Sequence, residues 1–167
     1  NDFLHAEHTA GRRVLAGFDF AFGYPAGFAQ SLTGTDDPFA VWDWFETRVK
    51  DTPKANNRFD LASEINTRFP GTGPFWGNGL RRDIPDLPRK GAGAVGSQVI
   101  MGLPMLARLR KAFGQDIAVW PFEPLTTPIA MVEIWPSLIA KAVTATIPAG
   151  QIKDAHQVHL LAQTLSQ

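Results

Sequence analysis

Val14-Leu15-Ala16-Gly17-Phe18-Asp19-Phe20, closed by Gly23-Tyr24-Pro25, is an apolar run of strand length with one carboxylate in it. Ile129-Ala130-Met131-Val132-Glu133-Ile134-Trp135, closed by Pro136, is another. Side chains alternate along a strand, so Leu15, Gly17 and Asp19 share one face while Val14, Ala16, Phe18 and Phe20 share the other. Met131, Glu133 and Trp135 alternate with Val132 and Ile134 in the same way. Apolar residues on both faces predict central strands of a mainly parallel sheet, covered on each side. An ionised carboxylate inside such a run is costly unless it is paired or binds a cation. Two in equivalent places predict a metal or catalytic site. Both fall toward the carboxyl ends of their strands, where open α/β sheets bind ligands.

Working outward, residues 1–12 read as a helix end or lead-in before a strand at about 13–20. Pro38, after Asp36-Asp37, suits the first position of a helix running to about residue 49, with Phe39, Val41, Trp42 and Phe45 on its apolar side. Thr52-Pro53 breaks that helix, and a second is predicted over 56–68 with Phe59, Leu61, Ala62 and Ile65 inward. Residues 70–96 form a long loop rich in Pro and Gly, a length usually tied to function. Ser97 caps a helix to about 112, kinked before Pro104. Strands at about 117–121 and 129–135 follow, then a short helix near Pro136 and a final helix from about Ile152. Strands alternating with helices give an α/β class, arranged as one domain over residues 1–167.

The totals narrow the function classes. Of 167 residues 44% are apolar and only 19% charged, which predicts an ordered core and argues against disorder. Sixteen basic residues balance sixteen acidic ones, so attraction to nucleic acid or anionic membrane must come from a local patch. Cysteine is absent, which excludes disulfides and thiolate metal sites. No apolar stretch has transmembrane length and no basic-then-apolar leader is present, so no membrane association and a cytoplasmic location are expected.

A third acid lies in the final helix. At 100° per residue Asp154, Val158, Leu161 and Leu165 fall in one stripe, which predicts that Asp154 continues the core-facing side. Inward acids from two strands and a helix suit Mg²⁺ or Mn²⁺, which take oxygen ligands and assist phosphodiester cleavage. Structural alternatives stand beside each: Asp154 favouring the helix dipole, Glu133 paired with an arginine such as Arg108, and Asp19 capping the turn through backbone N–H groups.

Gly17-Phe18-Asp19-Phe20-Ala21-Phe22-Gly23-Tyr24-Pro25 resembles the "IDxPxGxP" segment of a widespread bacterial family placed in the ribonuclease H-like superfamily. Glu133-Ile134-Trp135-Pro136-Ser137 is similar to its "E-aromatic-P" segment, and Lys153-Asp154-Ala155-His156-Gln157-Val158 to its C-terminal "hDAxDA" helix. Gly93-Ala94-Val95-Gly96-Ser97-Gln98 resembles a glycine-rich segment of relatives, some of which carry a label of molybdopterin-guanine dinucleotide synthesis. The resemblance runs in order from residue 13 to 165. It implies a ribonuclease H-like sheet with Asp19, Glu133 and Asp154 as carboxylates poised as in nucleases. It also implies three opening antiparallel strands, the first bearing the central Asp, that this chain is expected to begin after. Where the family's helix has a second Asp, this chain has Gln157.

The expectation that follows is a Mg²⁺- or Mn²⁺-dependent phosphodiester or nucleotide hydrolase. Asp19, Glu133 and Asp154 would be catalytic metal ligands, and Arg89 and Lys90, then Arg81 and Arg82, would neutralise phosphate. The alternative is a non-catalytic binding or accessory protein with a vestigial site, linked through its relatives to molybdenum-cofactor nucleotides. Partners on the first reading are nucleic acid or nucleotide. Trp42, Trp44 and Trp76 suit base stacking, while core packing or a homo-oligomer contact explains the first two equally well. Gly91-Ala92-Gly93-Ala94-Val95-Gly96 fits the dinucleotide G-x-G-x-x-G spacing but follows Pro85–Lys90, which cannot form a central strand; a looser phosphate site at the helix start remains. His156 and His159 have a spacing that can share a metal, but no third zinc ligand accompanies them. No serine has a nucleophile-elbow surround, so hydrolase triads are not expected.

Overall fold

The computed structural model describes residues 2–68 and 95–166. The predicted 70–96 loop, with Trp76, Arg81, Arg82, Arg89 and Lys90, falls almost wholly outside them. The chain divides into two compact units, Asn1–Glu133 and Ile134–Gln167.

The larger unit is α/β. In chain order it contains α1 (Asp2–Thr9), β1 (Val14–Phe18), α2 (Phe28–Thr33), α3 (Pro38–Arg48), β2 (Asp51–Thr52), β3 (Ala55–Asn56), α4 (Arg58–Arg68), α5 (Val95–Phe113), β4 (Ile117–Val119) and β5 (Ile129–Glu133). A parallel three-stranded sheet has the order β1-β5-β4. Val14 pairs with Ile129 and Phe18 with Glu133; Ile117 and Val119 pair with Ile129 and Met131. β5 is the central strand, as its apolar run predicts. Among the described residues β1 is an edge strand, contrary to expectation. Its residues alternate between half-buried and exposed, and Leu15 is 45% exposed. Apolar character on both faces reported strand identity but could not report how many neighbours the strand has.

The opposite face of the sheet builds the core. Ile117, Val119, Ile129 and Met131 are buried there and join Trp42 and Phe45 of α3 and Leu103 and Leu106 of α5 in one cluster. α3 starts where expected: Pro38 takes the first helical position, and the Asp37 carboxylate accepts the Phe39 N–H at 2.8 Å. Its end is sealed by Asn57, whose amide donates to the Arg48 carbonyl at 2.9 Å and whose Oδ1 accepts the Lys50 N–H at 2.8 Å. The Thr52-Pro53 break is in fact a hairpin. β2 pairs antiparallel with β3, and the Thr52 hydroxyl bonds the Ala55 backbone across it. α5 runs as one helix through Pro104 and begins at Val95, which puts Ser97 inside its first turn rather than at its cap.

Gly102 of α5 lies against the Phe20 ring, and a Cβ at that position would overlap the ring edge. Alanine would improve helix propensity by about 1 kcal/mol, but overpacking costs about 1–3 kcal/mol. Gly102→Ala is therefore expected to lower unfolding free energy by about 1 kcal/mol, measured by urea denaturation. A stabilised variant would show that the Phe20 ring swings aside freely.

The smaller unit holds a 3₁₀ turn (Pro136–Ile139), α6 (Ala140–Thr146) and α7 (Lys153–Leu165). The Gln157 amide donates to the Pro136 carbonyl at 2.9 Å, tying α7 to the turn. His156 is the buried polar residue of α7, and its Nε2 lies 2.8 Å from the Thr146 hydroxyl. Among the described residues no helix is long and apolar enough to cross a membrane.

Candidate functional site at the carboxyl ends of the strands

Parallel pairing brings two of the predicted acids to one rim. Glu133 is the last residue of β5, level with Phe18, the last residue of β1; Asp19 is the next residue along. The two acids thus stand at the carboxyl ends of adjacent strands, where α/β folds place their ligands. Alternation along the strands puts Asp19 on the face of Gly17 and Val132, and Glu133 on the face of Phe18.

Their environment differs from that expected. Asp19 and Glu133 are exposed, not buried within the sheet, because each stands where its apolar run reaches the rim. Solvated carboxylates there carry no burial penalty, so the energetic argument for an obligatory cation does not apply. Arg108, the proposed structural partner of Glu133, is exposed on α5 and forms no ion pair among the described residues.

Asp154 belongs to the Ile134–Gln167 unit and is also exposed, in the first turn of α7. The stripe that was to carry it inward faces out: Val158 is 63% exposed, and Leu165 is exposed as well. The helix instead buries His156 and half-buries Gln157, because Thr146 and Pro136 offer hydrogen-bond partners on that side. A periodicity that weighs only apolar residues could not find this orientation.

Among the described residues, no group of three or more His, Asp or Glu side chains is arranged to hold a metal ion. The basic residues predicted to hold phosphate, Arg81, Arg82, Arg89 and Lys90, lie outside the described residues.

The segment after Asp19 is fixed by aromatic packing. Phe18, Phe20 and Phe22 form a triangle with ring centroids 5.9–6.0 Å apart, and the Phe22 carbonyl accepts the Trp42 indole N–H at 2.8 Å. Trp42 and Trp44 are core residues and are unavailable for base stacking; Arg48 lies over Trp44 at 4.4 Å. His156 is occupied by Thr146, and His159 is exposed, so the two do not form a metal pair. Arg110 and Lys111 do more than complement a helix dipole. Arg110 pairs with Glu123 at 2.5 Å, and Lys111 bridges Asp43 and Glu46. Glu123 was not singled out in the sequence; it also accepts the Val119 N–H at 3.1 Å, so it clamps the exit of β4 to α5.

Tyr24 closes the same segment. It stacks on Phe28 with centroids 3.9 Å apart, and its hydroxyl oxygen is buried with no hydrogen-bond partner among the described residues. Burial pushes its phenol well above the ordinary value. The unfolded chain releases that proton near pH 10, whereas the folded chain keeps it. Stability is therefore expected to hold below about pH 10 and to fall above it by about 1.4 kcal/mol per pH unit. This is the chain's single tyrosine, so tyrosinate absorbance reports it directly. Tyr24→Phe should match or exceed the parent by about 1 kcal/mol and flatten the alkaline slope. Ionisation of the folded protein near pH 10 would refute the burial argument.

A recess of about 550 Å³ lies at the other end of the strands, lined by His8, Gly11, Arg12, Arg13 and Thr126–Pro128. Two of its polar side chains are engaged, Arg12 by Glu7 and His8 by Asp116 at 3.3 Å. No protein-family model, curated protein or solved structure matches this chain.

Proposed function

We propose that this chain is a ribonuclease H-like, divalent-metal-dependent hydrolase of a phosphodiester or nucleotide, working in the cytoplasm with Mg²⁺ or Mn²⁺. The observation that supports this reading is that Asp19 and Glu133 both stand at the carboxyl ends of adjacent parallel strands, β1 and β5. In it Asp19 and Glu133 hold and orient the cation at the exposed rim. The bound metal would supply activation of water and charge neutralisation at the leaving oxygen. Asp154 and the basic residues Arg81, Arg82, Arg89 and Lys90 enter on the sequence alone, as a third ligand and as phosphate partners.

A second reading, an accessory protein with a vestigial site, has one observation in its favour. Gln157, where the resembling family has an Asp, spends its amide on the Pro136 carbonyl, a structural role. Its ligands would be those the relatives' label suggests, guanine nucleotides of the molybdenum-cofactor type.

Calorimetric titration with Mn²⁺, followed by turnover assays on nucleic acids and nucleotides, separates the two. Saturable uptake with metal-dependent product release supports the hydrolase. Absence of uptake, with a thermal shift on guanine nucleotides alone, supports the accessory protein.

A further inference from the structure

The recess at the amino ends of the strands is separated from the carboxylate rim by the length of β1, roughly 15 Å at the usual rise per residue. Its lining comes from two chain passages that backbone bonds fix. α1 ends in a Schellman turn, with Gly11 at a left-handed φ of 70°. The Gly11 N–H donates to the His8 carbonyl at 2.9 Å, and the Arg12 N–H donates to the Glu7 carbonyl at 3.0 Å. That turn delivers Arg12 and Arg13 directly to the start of β1, where the Val14 N–H donates to the Pro128 carbonyl at 2.9 Å. This bond ties the second passage, Thr126–Pro128, to the first. The Thr127 hydroxyl secures it further by donating to the Ile129 carbonyl at 2.7 Å.

No carboxylate lines the recess, and its titratable side chains are Arg12, Arg13 and His8. Two acids outside the lining are committed to it, Glu7 to Arg12 and Asp116 to His8. Glu7 takes Arg12 through Nε and Nη2, so the guanidinium is oriented while its Nη1 makes no hydrogen bond among the described residues. Arg13 is exposed and forms no ion pair or hydrogen bond among the described residues. The Thr126 hydroxyl is likewise without a hydrogen bond among them, on an exposed residue. The charge of Arg13 is thus uncompensated, beside an oriented guanidinium edge and an open hydroxyl. Apart from Gly11 and Pro128 the lining is polar.

We propose that this recess binds the phosphate group of a small phosphorylated metabolite. Arg13 is its main electrostatic partner, with Arg12 Nη1 and the Thr126 hydroxyl as further donors. An arginine fork matches phosphate oxygens at two points. A phosphate monoester carries nearly two negative charges at neutral pH, so its attraction to Arg13 does not depend on the charge of Arg12 that Glu7 offsets. A volume of about 550 Å³ is that of a small-molecule site and exceeds what a bare phosphate fills. The polar lining suits a hydroxylated remainder such as a sugar and offers neither a base nor an acyl chain an apolar surface. This site uses no residue of the carboxylate rim and needs no metal.

The test titrates ribose 5-phosphate, ribose and succinate by calorimetry into the parent, Arg13→Gln, Arg13→Lys and Thr126→Val. EDTA in the buffer removes any cation at the rim, so the outcome is independent of the hydrolase reading. The parent should bind ribose 5-phosphate saturably, succinate more weakly and ribose not at all. Arg13→Gln should weaken ribose 5-phosphate at least about ten-fold, the usual worth of a charged hydrogen bond. Arg13→Lys should keep part of the affinity, because the charge persists while the fork is lost. Thr126→Val should lower it several-fold. No saturable binding by the parent overturns the proposal, as does succinate binding equally tightly. Unchanged affinity in Arg13→Gln overturns it too. Should that variant fail to fold, unchanged affinity in Thr126→Val does the same.

Discussion

Glu133→Gln is expected to weaken Mn²⁺ uptake at least about 100-fold and to reduce metal-dependent turnover correspondingly, with Asp19→Asn behaving alike. The reasoning starts from how few ligands the rim supplies. Asp19 and Glu133 are the acids that stand at the carboxyl ends of β1 and β5. Losing a group that merely orients a ligand typically costs 10–100-fold; losing one of two charged ligands should cost more. Both substitutions keep side-chain volume, and both residues are exposed, so unfolding free energy should move by no more than about 0.5 kcal/mol. Calorimetry and a urea melt on the same samples make the separation. Parent-like Mn²⁺ affinity in both variants would remove these carboxylates from the site.

Trp42→Ala carries the largest expected loss of stability, about 3–5 kcal/mol. The side chain is 1% exposed and meets Phe22, Phe39 and Phe122 edge-to-face at 5.9, 5.1 and 6.4 Å. Its indole N–H also satisfies the Phe22 carbonyl. Alanine removes the packing and the donor together, a large part of the 5–15 kcal/mol typical of a domain. Trp42→Phe should cost less, mainly by leaving that carbonyl unpaired, at about 1–3 kcal/mol. Urea unfolding followed by circular dichroism decides both; a loss under 1 kcal/mol for alanine would mean that the aromatic cluster repacks around the gap.

Much of the architecture could be read from the chain because local signals agreed. Asp37-Pro38 marked the start of α3 through its cap, and the Ile129–Glu133 run is dense enough in β-branched and apolar residues to mark a strand. Ile152 indeed precedes α7. Misread features share a cause: the sequence shows polarity but not what a fold sets opposite it. Asp19 and Glu133 looked buried because their neighbours are apolar, yet each sits at the rim. α7 was oriented by its aliphatic residues, whereas Thr146 and Pro136 draw His156 and Gln157 inward. Trp42 and Trp44 were consistent with stacking or with core, and only the contacts of Trp42 with Phe22 and Phe39 and of Trp44 with Phe45 decide for core.

The placement of β5 between β1 and β4 also governs how the sheet can assemble. Val14 must meet Ile129, so most of the polypeptide has to be made before the first strand gains its neighbour. Contacts that distant pay loop-closure entropy before they return stability, which slows collapse relative to all-helical proteins of similar size. On the ribosome, the Val14–Phe18 segment is therefore made long before the β5 strand it pairs with. That interval is when a chaperone would be needed, and when neighbouring nascent chains are most able to stick together.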